Sequence, residues 1–291
     1  MKLMSILLTI FHGIWAMQPE AVKAYQPLID ALIANPSYDI THMMPKAKVF
    51  DINAIVGSPA PLASPNSWNG GLANAPKGSV AILPMSGVVM KKDNCGAPGT
   101  QTVGSWLSQV DANPHIIGAV FVADTPGGSV DGTPILADQI KGMQKPIVGL
   151  VDGMCCSAGE WMISATDYIY ASHPLNQVGS IGIMSSFMDT TKQDKKAGVK
   201  RVQVYATNST DKNKDFADAL AGDTTAIVAR LDAMNAMFAA SIKKNRWNKG
   251  LSKEVFTGKT YLAQDAIGLG LIDAIGTMPA AINKVLQLSK S

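Results

Sequence analysis

Pro146-Ile147-Val148-Gly149-Leu150-Val151, followed by Met154-Cys155-Cys156-Ser157-Ala158-Gly159-Glu160-Trp161, is a short apolar run leading into small residues around one serine. Glu160-Trp161-Met162-Ile163-Ser164-Ala165 then continues with helical character. This order places Ser157 at a strand-to-helix turn. Such a turn presents a side chain at the edge of a sheet and aims the unpaired N–H groups of the first helical turn at a developing negative charge. A serine peptidase or esterase uses that geometry. An ordinary serine N-cap has the same local sequence, and Ser157 alone does not separate the two.

Working outward, strand and helix alternate. Ser79 to Met85 and Ile116 to Val122 read as buried strands, with a polar, Gly-rich loop at Lys91 to Gln101 and a helix around Trp106, Leu107 and Val110 between them. Asp124 to Ser129 reads as a tight glycine turn, and Pro134 to Met143 as a helix burying Ile135, Leu136, Ile140 and Met143. Strands at Tyr168 to Tyr170, Val178 to Ile183 and Val199 to Tyr205 follow, with a polar helix around Thr191 to Ala197. A long amphipathic helix carries Ile227, Leu231, Met234, Met237, Phe238 and Ile242, its methionines read as core filling. Short elements and a last helix from Pro279 close the chain. Repeated βα units with continuous apolar strands imply an α/β fold, a mostly parallel sheet covered by helices.

With 291 residues, 47% hydrophobic and 16% charged, the chain can bury a substantial core. A formal charge of +3 without a basic block argues against nucleic acid as a partner. The three cysteines form no CxxC pair, which suits a reducing compartment. Residues 1–57 read as an N-terminal helical appendage, 58–78 as a Pro, Ala, Gly and Ser-rich linker, and 79–291 as the main domain. The apolar run Leu3 to Ala16 is too short to span a membrane but has the length of a signal-peptide core, with Ala16 at its cleavage point, so export is the alternative. The linker is expected to be extended, exposed and cut by the chain itself between about Ala60 and Lys77.

A nucleophilic serine needs a base. The four histidines are His12, His42, His115 and His173, none in a recognisable catalytic context. A lysine stripped of its charge by desolvation is the other option. No His/Cys/Asp cluster has metal-ligand spacing, and the chemistry calls for neither metal nor organic cofactor.

The order Asp124-Thr125-Pro126-Gly127-Gly128, Cys156-Ser157-Ala158-Gly159, Val178-Gly179-Ser180-Ile181-Gly182 and Lys212-Asn213-Lys214-Asp215 resembles the signal peptide peptidase A family of Ser-Lys serine peptidases over roughly residues 79 to 275. Within it, the chain looks most like the phage-type capsid-maturation (prohead) proteases. The resemblance implies a Clp protease/crotonase-like fold and homo-oligomers. It implies Ser157 as nucleophile, Lys212 as general base, and the backbone amides of Gly128 and Ala158 as oxyanion donors. Gly127 would support the site, or the Gly127-Gly128 pair is an ordinary turn. Ser180 would orient the lysine, or simply pack between strands. Where the family has a Ser-Gly-x-Lys-like approach, this chain has Ser209-Thr210-Asp211 before Lys212, so Lys214 stays as a substitute base.

Three functions follow. The first is a phage or prophage endopeptidase acting on capsid or scaffold proteins, in the host cytoplasm or at the prohead. The second is a cellular signal-peptide-degrading enzyme, periplasmic or membrane-associated, for which residues 1–16 serve export. The third is a catalytically silent scaffold component, which intact Ser157 and Lys212 argue against.

Overall fold

The computed structural model describes residues 75–94, 97–200 and 202–291, together with Leu72 and the backbone of one N-terminal strand. In chain order the elements are β1 (Ile14–Met17), β2 (Ser79–Ser86), α1 (Thr100–Ala112), β3 (Ile116–Thr125), β4 (Gly127–Ser129), α2 (Thr133–Lys141), β5 (Ile147–Cys156) and α3 (Ala158–Ile163). They continue with β6 (Tyr168–Ala171), β7 (Gln177–Gly179), β8 (Met184–Ser185), α4 (Thr191–Lys196), α5 (Lys214–Leu220) and α6 (Thr225–Asn245). A 3-10 turn (Lys253–Thr257), β9 (Thr260–Leu262), α7 (Ala263–Gly268), β10 (Ala274–Ile275) and α8 (Met278–Leu288) complete the chain.

The main sheet runs β10-β6-β5-β3-β2 with every neighbouring pair parallel. Its strands are apolar throughout because both faces are covered. Alternate residues serve opposite layers: Ala81, Leu83, Met85, Ala119, Phe121 and Ala123 face the larger core, under α1, α2, α3 and α6. Val80, Ile82, Val120, Val122, Val148 and Leu150 face the other way, onto Ala281, Ile282 and Val285 of α8. The long α6 is fastened to α3 by Phe238, fully buried and stacked on Trp161 with ring centroids 4.4 Å apart. Truncating such a ring typically costs ~3–5 kcal/mol.

Strand β5 changes partner along its length, and that change positions the site. Val148 to Val151 pair with β6, whereas Met154 to Cys156 pair with β7 on the same side. Gly153, at φ 119°, makes the break. Only glycine takes that conformation freely, and a side chain there would meet the Asp124 carboxylate. Beyond the break the strand continues to Cys156 rather than ending near Val151, so the residue before the serine is still clamped in a sheet.

Other expectations are revised. Asp124 to Ser129 is the end of β3 followed by the short strand β4, not merely a glycine turn. Val178 to Ile183 is strand only through Gly179, because Gly179 and Ser180 both take positive φ and turn the chain. Val199 to Tyr205 forms no strand among its described residues, which lie exposed. Ile135 points outward, 68% exposed, and Met237 on α6 is likewise exposed, so neither fills the core. Leu72, inside the expected linker, is buried in the main core, and its carbonyl accepts from the Asn113 side chain at 2.5 Å. Ile14–Met17 of the expected helical appendage are a strand, pairing with β4 and β8. The remainder of residues 1–57, most of the linker and Cys95 lie outside the described residues.

Candidate active site

Ser157 sits between β5 and α3 at φ 56° and ψ −112°, a region that a residue with a side chain rarely occupies. Its surroundings over-determine this geometry. Cys155 pairs with Thr125 of β3, Cys156 pairs with Gly179 of β7, and the Ser157 amide donates to the Gly179 carbonyl at 2.7 Å. The Ser157 carbonyl accepts from the Trp161 amide, closing the first turn of α3. Strain held in this way aims the hydroxyl. Oγ lies 3.4 Å from the Gly182 carbonyl, its hydrogen-bond acceptor, in the segment that leads to β8.

The Gly127-Gly128 pair is brought to the same place. Gly159 of α3 packs so tightly on Thr125 that a β-carbon there would come within 2.6 Å of the Thr125 methyl, which seats the start of α3 against the chain entering β4. Thr125 is fully buried; its hydroxyl donates to the Gly87 carbonyl at 2.5 Å and accepts from the Gly127 amide at 3.1 Å. Gly127 has φ 102°, and Gly128 lies so close to Val89 that a β-carbon would fall 2.1 Å from the Val89 carbonyl oxygen. Glycine is therefore required at both positions by the backbone itself. The Val89 amide donates to the Gly127 carbonyl and the Ser129 amide to the Val89 carbonyl. Ala158, completely buried, is the first helical residue after the serine. Ser180 is buried beside this turn, its amide donating to the Lys259 carbonyl at 2.8 Å.

The lysines are elsewhere. Lys212 is exposed, in a turn ahead of α5, and makes no hydrogen bond to Ser157. Lys214 is paired with Asp218 at 2.5 Å, a contact that raises its pKa and holds it charged, the wrong direction for a base. Both belong to a stretch from Phe187 to Leu220 that displays Met188, Val202, Val204, Phe216 and Leu220 to solvent. His115 contacts the Ala75 carbonyl, and His173 accepts from the Leu175 amide. Neither bonds to Ser157; His12 and His42 lie outside the described residues.

Two residues of this site escape a reading of motifs. Thr125 looks like a loop residue in sequence, yet it ties the glycine pair to the sheet. Glu160 looks like the polar face of a helix, yet it is completely buried, with one oxygen accepting from the Gly179 amide at 3.4 Å. Burial lifts its pKa from 4.5 to about 8, against the opposing pull of Arg246 and of the Gly179 amide. The neighbouring thiols are free and buried: burial pushes Cys155 well up and Cys156 to about 12, so neither is a nucleophile at neutral pH. A carboxylic acid between a strand-edge glycine and a serine turn has no sequence signature; only an acidic residue inside an otherwise apolar helix start hints at it.

A strained serine at a strand-to-helix junction, beside a glycine pair that no side chain can replace, is peptidase-like, and comparison with known proteins agrees. The family model described as peptidase family S49 matches residues 139–291, more than half of the chain. The chain belongs to peptidase family S49. This S49 chain is 28% identical over 213 residues to the capsid assembly protease C of Escherichia phage lambda, covering 70% of this chain and 48% of that protein. It is 28% identical to a putative protease of Methanocaldococcus jannaschii, over 63% of this chain and 60% of that one. Protease 4 of Haemophilus influenzae is 27% identical over 72% of this chain and 34% of its own length. The S49 chain thus spans between about a third and three fifths of these relatives. The parallel sheet with its covering helices is consistent with the Clp protease/crotonase-like fold expected of an S49 peptidase. No described helix is long and apolar enough to cross a membrane.

Proposed function

We propose that this S49 chain is a serine endopeptidase in which Ser157 is the nucleophile and Lys212 the general base. The neutral Lys212 amine takes the Ser157 proton as Oγ attacks a peptide carbonyl. The amides of Gly128 and Ala158 hold the oxyanion, and the proton passes to the leaving amine. Water then hydrolyses the acyl-enzyme. The observation that carries this reading is the strained Ser157 turn set against Gly128, whose contact with Val89 leaves no room for a side chain.

Lys212 joins the site by self-association. Ser157 is 1% exposed whereas Lys212 faces solvent, on a stretch whose apolar side chains are the kind that an interface between copies covers. Burial in such an interface also supplies the desolvation that a lysine base needs. Lys214, held by Asp218, plays no part.

The substrates are extended polypeptides, and the similarity to a phage capsid assembly protease favours capsid or scaffold proteins. Similarity to protease 4 supports a second reading, a cellular peptidase acting on signal peptides. Portal and major capsid genes beside this one would favour the first. The test of the chemistry is hydrolysis of an unfolded protein such as reduced casein. Ser157→Ala and Lys212→Ala are each expected to lower kcat/KM by at least ~10³-fold, with unchanged circular dichroism, while Lys214→Ala stays active. Loss in His173→Ala equal to that in Ser157→Ala would restore a histidine base and refute the dyad.

A further inference from the structure

A strand of the same chain lies between β4 and β8. β1 runs antiparallel to β4, with Trp15 opposite Ser129, Ala16 opposite Gly128 and Met17 opposite Gly127. On its other edge it runs antiparallel to β8, with Ile14 opposite Ser185 and Trp15 opposite Met184. The two flanking strands both lead to the serine. β8 begins two residues after Gly182, whose carbonyl takes the Ser157 hydroxyl, and β4 packs against α3, which starts at Ala158. An extended segment inserted between two strands beside a nucleophile has the pose of a bound peptide.

The pleat fixes the register. In a strand, the amide and carbonyl of one residue point to one side and those of its neighbours to the other. The Gly127 carbonyl and the Ser129 amide are both taken by Val89. The amide and carbonyl of Gly128 therefore face β1, and Ala16, directly opposite, forms the hydrogen-bonded pair, with its carbonyl on the Gly128 amide. Trp15 is held on both edges, by β4 and β8, and Ile14 by β8, whereas Ala16 and Met17 are held by β4 alone. The acyl side is thus gripped and the leaving side is freer.

We infer that the Ala16–Met17 peptide bond is a substrate of this chain's own Ser157, cut to leave Met17 as the new N-terminus. The inference rests on the proposed function, since it uses the same nucleophile and the same Gly128 donor. Ser157 Oγ bonds to the Ala16 carbonyl carbon, its proton passes through the base to the Met17 nitrogen, and the C–N bond breaks. Water then cleaves the ester, leaving the Ala16 carboxylate and a free Ser157 hydroxyl. This places self-cleavage at a different point from the Ala60 to Lys77 linker expected from composition. It also distinguishes self-cleavage from signal-peptide removal after the same Ala16, which would need another enzyme.

Intact mass and N-terminal sequence of purified full-length wild type, Ser157→Ala and Ala16→Pro decide it, with casein hydrolysis measured on each. The expected result is wild type beginning at Met17, Ser157→Ala intact and inactive, and Ala16→Pro intact at this bond yet active on casein, because proline has no N–H for the Gly128 carbonyl and frees the strand from β4. A wild type that hydrolyses casein but keeps residues 1–16, or that is cut only within residues 60–77, overturns the inference and leaves the proposed function standing. Equal trimming after Ala16 in Ser157→Ala assigns the cut to a host enzyme and also overturns it. Absence of any Ser157-dependent hydrolysis overturns both.

Discussion

The Ser157 amide donates to the Gly179 carbonyl across 2.7 Å, and the Gly179 amide in turn donates to Glu160, three residues beyond the serine. The strained turn is thus tied to a neighbouring strand at two points, one of them a carboxyl group buried with no exposure. A buried carboxyl in this position stays protonated over much of the physiological range, because ionising it without full solvation is unfavourable.

Glu160 therefore makes stability depend on pH. Its folded pKa, about 8, is above the ordinary 4.5, so between these values the folded chain keeps a proton that the unfolded chain has lost. The stabilisation is complete below pH 4.5 and is lost as pH rises toward and through about 8. Glu160→Gln keeps the shape without the titration. Urea unfolding at several pH values should show the variant losing stability less steeply over this window, by up to ~1.4 kcal/mol per pH unit. Identical slopes in the two proteins would show that Glu160 does not titrate this way.

Gly128→Ala should disable the site while leaving most of the fold. The added methyl would lie 2.1 Å from the Val89 carbonyl oxygen, so β4 must shift and carry the Gly128 amide with it. Loss of one oxyanion donor typically lowers kcat by ~10²–10³-fold. Steady-state kinetics on casein or a peptide should show that fall in kcat with circular dichroism retained. Unchanged kcat would remove Gly128 from the oxyanion site.

How much of this was legible in the sequence depends on how local each signal is. The alternation of apolar strands with helices gave the parallel sheet, because strands covered on both faces must be apolar at every position, as Val120, Phe121 and Val122 are. Ser157, Gly127 and Gly128 stood out because a turn and a close backbone approach demand particular residue types. Glu160 and Thr125 did not, since their roles depend on partners 19 and 38 residues away, Gly179 and Gly87. Val199 to Tyr205 reads as a strand because its apolar residues are real, but its described residues lie exposed and outside any strand. β1 reads in sequence as part of a helix or signal segment because four residues that pair with β4 and β8 carry no periodic signal of their own.

If Lys212 is contributed by a second copy, two inactive variants should repair one another. Mixing Ser157→Ala with Lys212→Ala under conditions that allow subunits to exchange should restore a measurable fraction of wild-type hydrolysis, because some assemblies then pair an intact Ser157 with an intact Lys212. Recovery should be absent for either variant alone. A mixture that exchanges subunits, shown by mass spectrometry, yet stays inactive would place both residues of the dyad in one chain.

Activation of a Ser157 nucleophile by Lys212 is read most directly by covalent labelling. Treatment with a fluorophosphonate, followed by peptide mass mapping, should place a single phosphonyl group on the peptide containing Ser157. Labelling should be absent in Ser157→Ala, slower by at least ~10²-fold in Lys212→Ala, in line with the usual contribution of a general base, and near wild type in Lys214→Ala. A label on a different serine, or Ser157 labelled as fast in Lys212→Ala as in wild type, would contradict the account.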